Sequence, residues 1–111
     1  MIEIITFNCL RDNLSVPVYV EKPTQKPQRY VVIDKIGSSK EDYLFSSTIA
    51  FQSYAESKYQ AAFLNEQVKE AVENMIVLDE IAGVSLNSDY NFTDTTTKEY
   101  RYQAVFDINH Y

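Results

Sequence analysis

The segment Tyr100-Arg101-Tyr102-Gln103-Ala104-Val105-Phe106-Asp107-Ile108 carries the strongest period-two pattern in the chain. Tyr100, Tyr102, Ala104, Phe106 and Ile108 face one way, while Arg101, Gln103, Val105, Asp107 and Asn109 face the other. One apolar face and one mostly polar face describe a strand of a sheet that is covered on one side. The clearest candidate for the cover opens at Ser57. Gln60 stands three residues on, as a capping box requires, and Ala61, Leu64, Val68, Ala71 or Val72, and Met75 form one apolar stripe at helical spacing. The opposite face carries Glu66, Lys69, Glu70 and Glu73, a charge run that reads as a solvated helix surface.

Working back toward the N-terminus, Tyr30-Val31-Val32-Ile33 continues to Ile36 and meets turn chemistry at Gly37-Ser38-Ser39. Tyr43 to Tyr54 is again rich in β-formers, and the two strands are expected to pair antiparallel. Glu21 to Gln28, with Pro23 and Pro27 flanking Thr24-Gln25-Lys26, predicts an extended, exposed and mobile loop. Val16 to Val20, beside Pro17, predicts a short strand suited to a sheet edge. Ile2, Ile5, Cys9 and Leu10 share one face of a short amphipathic helix, although Ile2, Ile4 and Thr6 also alternate as a strand would.

On the C-terminal side of the helix, Ile81 to Leu86 predicts a strand broken by Asn87-Ser88-Asp89. Tyr90 to Glu99 then reads as a long polar connection. The expected order is α-β-β-β-α-β-β in one domain, residues 1–111: an α+β fold with an antiparallel sheet and helices packed on one face.

A chain of 111 residues suits one core and not two. Surface scaling predicts a folded area of ~6,300 Å². With two Gly, the sequence lacks the Cβ-free positions that a phosphate-cradling loop needs. Ten basic and sixteen acidic residues give a net charge of −6, the wrong sign for gripping a nucleic-acid backbone. The one cysteine, Cys9, has no partner for an intrachain disulfide and reads as a small buried hydrophobe; the one histidine, His110, removes His-rich metal sites. No long apolar run predicts a membrane span and no secretory signal is legible, so a cytosolic chain is expected, and the sequons at Asn13 and Asn91 carry no glycan.

Catalytic signatures are absent. His110 sits where termini usually fray, no Gly-x-Ser-x-Gly, Cys-x-x-Cys, His-Glu-x-x-His or Walker sequence occurs, and no enzyme, cofactor or metal is expected. Asp89 to Asp94 begins like a calcium loop, but Asp94 stands where the turn glycine belongs and Tyr100 where a bidentate Glu belongs. What stands out is aromatic content in polar settings. Tyr90 and Phe92 lie beside Asn91 and Asp94, and Tyr100 and Tyr102 flank Arg101. Tyr and Arg are enriched where partners meet, although Tyr100 and Tyr102 share a face with Phe106 and also read as core.

Ser88-Asp89-Tyr90-Asn91-Phe92-Thr93-Asp94 followed by Tyr100 to Ile108 resembles the tail terminator, or tail completion, proteins of long-tailed bacteriophages and prophages. The likeness extends over most of the chain. It includes Val16-Pro17-Val18-Tyr19, the Pro-bounded loop, Pro27-Gln28-Arg29-Tyr30-Val31-Val32-Ile33, the Gly37-Ser38 turn and the helix after Ala55-Glu56-Ser57. Ser38 and Thr93 stand where many relatives have a second turn glycine and a proline. The resemblance implies a non-enzymatic subunit that forms a ring, typically a hexamer, at the head-proximal end of the tail tube, stops tube polymerisation and offers a docking surface to head connector or stopper proteins.

It further implies assembly in the cytoplasm of an infected or lysogenic bacterial host, and residence in the virion tail. Expected contact residues are Arg29, Tyr90, Asn91, Phe92, Asp94 and Arg101, with the Glu21 to Arg29 loop reaching a neighbour. Six copies at −6 each, about −36 in all, would give an acidic lumen through which DNA passes without sticking. The alternatives are another head-to-tail joining protein, a stopper or adaptor ring, and more distantly a small ligand-binding domain or enzyme.

Overall fold

The computed structural model describes residues 1–111 as an α+β fold with the expected element order. Helix α1 (Ile2–Asn13) is followed by β1 (Val18–Tyr19), β2 (Tyr30–Glu41), β3 (Leu44–Ala55), helix α2 (Lys58–Glu73) with a short 3-10 turn at Asn74–Val77, β4 (Ile81–Asn91) and β5 (Tyr100–His110). Its accessible area of 6538 Å² agrees with the size scaling. No helix is long and apolar enough to cross a membrane.

The five strands form one sheet in the order β1-β2-β3-β5-β4. The helices cover one face. Val31 and Ile33 of β2, Ile49 and Phe51 of β3, and Ala104, Phe106 and Ile108 of β5 point toward Leu64, Val68, Val72 and Met75, and Ile2 and Leu10 of α1 close the layer. Phe51 and Phe106 meet edge-on at 5.8 Å, the arrangement that aromatic quadrupoles favour. At α2 the Ser57 hydroxyl accepts the Gln60 N–H at 3.2 Å, so the predicted cap is present, and every residue of the predicted stripe is buried. Cys9 is half-buried between the helices, its thiol pushed up by burial.

Four expectations are corrected. First, the sheet is mixed: β1 runs parallel to β2, with Val18 opposite Val31 and Tyr19 opposite Val32. Parallel neighbours require a crossover, and here residues 20–29 provide it in place of a helix. Second, Gly37 does not end β2. It follows a bulge at Lys35/Gly37, and the strand continues to a two-residue turn at Asp42-Tyr43. Both turn residues have positive φ, 51° and 69°, the backbone that matches the twist of a tight hairpin. A reading keyed to Gly misses a turn made without it.

Third, Asn87-Ser88-Asp89 bends but does not break β4, because a second bulge at Leu86/Ser88 absorbs the irregularity and pairing to β5 resumes at Ser88↔Val105. Tyr90 and Asn91 are therefore strand residues, and the connection to β5 begins at Phe92. Fourth, His110 is ordered at the end of β5, 9% exposed and stacked on Phe45, because Ile81 and Phe45 flank it in the sheet.

Candidate functional site: an aromatic row on the helix-free face

Alternation places Tyr30, Val32, Gln52, Tyr54, Tyr90, Arg101 and Gln103 on the face away from the helices. There, cross-strand pairing lines up tyrosines of β1, β2, β3 and β4 with the Arg101 guanidinium of β5, and Phe92 joins them from the connection that follows β4. Tyr19 meets Tyr30 edge-on at 6.1 Å, and Tyr30 stacks on Tyr54 at 4.5 Å with planes 7° apart. The Arg101 guanidinium lies 5.7 Å from the Tyr54 ring centre and 4.2 Å from that of Phe92. Phe92 in turn meets Tyr90 edge-on at 5.6 Å.

Hydrogen bonds, with the Tyr90–Phe92 ring contact as the last link, close the far end of the row into a circuit. Arg101 donates from Nη1 to Tyr54 Oη at 2.9 Å and from Nε to the Phe92 carbonyl at 2.6 Å. Tyr54 donates to Gln52 Oε1 at 3.2 Å, Gln52 donates to Gln103 Oε1 at 3.0 Å, and Gln103 donates to Tyr90 Oη. Each of these side chains is held by at least two others, so the exposed rings sit on a preorganised base. Tyr90 is 41% exposed and Phe92 39%, whereas Tyr30 and Tyr54 are buried.

The burial of Tyr30 and Tyr54 comes from residues 20–29, which cross this face as a strap. The strap makes no backbone–backbone hydrogen bond. Side chains fasten it: Lys22 and Lys26 reach Glu99 at 2.8 and 3.2 Å, and Lys22 also lies 5.4 Å from the Tyr54 ring centre. Arg29 forks onto Glu56 through Nε at 2.9 and 3.0 Å and Nη2 at 2.6 Å. Glu99 and Glu56 are consequently held below the usual carboxylate range by hydrogen bonds from these cations. A small cavity of about 210 Å³ remains under the strap, lined by Lys26, Tyr30, Tyr54 and Glu99 among others. Burial, with Glu99 nearby, pushes the Tyr30 phenol up to about 12.

The six expected contact residues thus divide. Tyr90, Phe92 and Arg101 come together in the row. Arg29 pairs with Glu56 of its own chain with its side chain still 45% exposed, and the loop expected to reach a neighbour crosses its own sheet with most of its residues exposed. Asn91 and Asp94 shape the connection. Asn91 Oδ1 accepts the Thr93 N–H at 3.0 Å and its hydroxyl at 2.7 Å, and Asp94 Oδ1 accepts the N–H groups of Thr96 and Thr97 at 2.9 and 3.3 Å, which lowers the Asp94 carboxyl. Tyr100 and Tyr102 lie on the helix side and are half-buried, outside the main core. Sequence reasoning missed Tyr30, Gln52, Tyr54, Glu99 and Gln103. The signal available was register: Tyr54 falls opposite Arg101 and Gln52 opposite Gln103 once the strands pair.

The row consists of tyrosine phenols, the Phe92 ring and the Arg101 guanidinium, bound chiefly to one another and to Gln52 and Gln103. A hydrogen bond of 2.8 Å joins Ser47 Oγ and His110 Nε2 on the helix side, where Ser47 is 1% exposed. No group of three or more His, Cys, Asp or Glu side chains is placed to hold a metal ion. The chain matches no protein-family model and no curated protein in sequence.

Proposed function

We propose that this chain is a structural subunit of a bacteriophage or prophage tail that acts as the tail terminator. Copies form a ring, six by the resemblance, on the head-proximal end of the tube. The ring stops addition of the major tail tube protein and offers its opposite surface to the head connector or stopper. DNA passes through the lumen without specific binding, and the subunit works without catalysis or cofactor, in the bacterial cytoplasm during assembly and in the virion tail afterwards.

The observation that carries this proposal is the exposed end of the aromatic row. Tyr90 and Phe92 present two rings to solvent on a rigid support, with Arg101 beneath them. Rigid aromatics with an arginine give contact area at low ordering cost, which suits a docking surface for another protein. Here that surface is assigned to the end of the tube. A terminator must bind a growing end and then offer a different face, and contacts between unlike surfaces that close into a ring supply that geometry.

The test is electron microscopy of tails from cells with and without this chain. Abnormally long tubes in its absence, restored to uniform length by the wild-type chain, are expected. Tubes of unchanged length would defeat the assignment.

A further inference from the structure

The sheet ends in two unlike open edges. On one side β1 covers β2 only at Val31 and Val32, so from Asp34 to Glu41 no strand lies against its outer edge and every residue is exposed. On the other side β4 pairs with β5 alone and is open from Ile81 to Asn91. We infer that copies of this chain join head to tail, β4 of one copy adding to the free half of β2 of the next so that the sheet runs on between subunits. This rests on the ring proposed above and names the contact that builds it.

Strand direction makes the junction natural. β2 is antiparallel to β3, β3 to β5 and β5 to β4, so β4 runs opposite to β2. Placing a second copy beside the first by a simple repeat along the sheet therefore brings β4 against β2 as an antiparallel pair, the pattern used at every longer junction within the chain. The same repeat keeps all helices on one wall and all helix-free faces on the other. Because the two edges differ, the contact is heterologous, and a rotation of about 60° per copy closes six copies into a ring.

Side chains flank both edges. Beside β2, a groove of about 540 Å³ is lined by Ile4, Phe7, Val20 and Lys35, with Ile36 56% exposed on the strand. Beside β4, a groove of about 470 Å³ is lined by Phe63, Leu86, Glu66, Glu70, Glu73 and Lys69, whose charge is already paired with Glu66 and Asp89. Glu70 and Glu73 have no cation within ion-pair distance in the chain, and Lys40 of the β2 edge has no carboxylate. Lys35 of the β2 edge is paired with Glu3, which leaves Lys40 as its cation without a carboxylate, whereas Glu70 and Glu73 beside β4 are carboxylates without a cation. Bulges in both edge strands and these charges are devices that discourage indiscriminate pairing, which leaves the junction selective for one partner edge.

The test uses the full chain with Cys9→Ala and one new cysteine per variant: Ile36→Cys or Ser38→Cys on β2, Ser85→Cys or Leu86→Cys on β4. Variants are mixed on purified tail tubes under mild oxidation. At least one mixture of a β2 with a β4 variant is expected to give a covalent dimer, and the doubly substituted chain a ladder, while no variant cross-links to itself. Cross-links between like edges, or rings without mixed cross-links, would overturn the edge junction and leave the terminator assignment standing. Mixed cross-links on tubes whose length the chain does not control would do the reverse. Absence of any multimer would overturn both.

Discussion

The guanidinium carbon of Arg101 lies 4.2 Å from the centre of the Phe92 ring, and the same side chain donates from Nε to the Phe92 carbonyl at 2.6 Å. One residue thereby supports an exposed ring and the backbone that carries it, while its Nη1 reaches Tyr54, its partner on the neighbouring strand β3. Lysine cannot reproduce a fork with this geometry. Arg101→Lys should therefore lower stability by about 1–2 kcal/mol in urea denaturation, through the lost hydrogen bonds and weakened cation–π contact. An unchanged midpoint would show that the circuit is not cooperative.

Glu99 is the only carboxylate that fastens the strap's two lysines. Exposed ion pairs of this kind contribute modestly, so Glu99→Gln should cost about 1 kcal/mol. It also acts on Tyr30, whose phenol is raised first by burial and next by the Glu99 charge. The phenol is raised from 10.0 to about 12, so the folded state keeps its proton where the unfolded chain has lost it. Stability is thus fully present below pH 10 and falls toward pH 12, by on the order of 2 kcal/mol. In Glu99→Gln, ultraviolet titration should show one tyrosine ionising nearer its ordinary value, and the alkaline loss of stability should shrink.

Tyr43 has φ of 69° and its side chain is 87% exposed, so it bears backbone strain with little packing in return. Tyr43→Gly should raise the unfolding free energy by about 1 kcal/mol, despite loss of the Lys40 contact with the Tyr43 ring at 5.7 Å. Thermal denaturation decides it. A lower midpoint would mean that the ring contributes more than the strain costs.

Burial lowers the His110 imidazole from its ordinary 6.5. The unfolded chain then binds the proton first, so stability is held above pH 6.5 and lost as pH falls through the lowered value. Melting followed between pH 7 and 5 should show this decline, and His110→Gln should flatten it. A decline of equal size in the variant would assign the effect to carboxylates instead.

Much of the fold is legible in the sequence because the burial that drives it is periodic. The stripe from Ala61 to Met75 and the alternation from Tyr100 to Ile108 each specify an element and its inward face. The features that escape are set by register and not by local pattern. Two bulges let β2 and β4 run past Gly37 and Asn87, the Asp42-Tyr43 turn uses positive φ without glycine, and the strap is fixed by Glu99, more than seventy residues away. For the same reason Tyr90, Phe92 and Arg101 could be picked out as unusual, while Tyr54, Gln52 and Gln103, which complete their circuit, read as ordinary strand residues.

The central claim, that this chain caps a tail tube through its aromatic row, is tested most directly by adding purified wild-type chain, or the Tyr90→Ala/Phe92→Ala variant, to major tail tube protein polymerising in vitro and measuring tube lengths by electron microscopy. Wild-type chain should end elongation and leave a ring on one tube end, and the variant, folded as judged by circular dichroism, should do neither. Continued elongation with the wild-type chain, or full capping by the variant, would contradict the account.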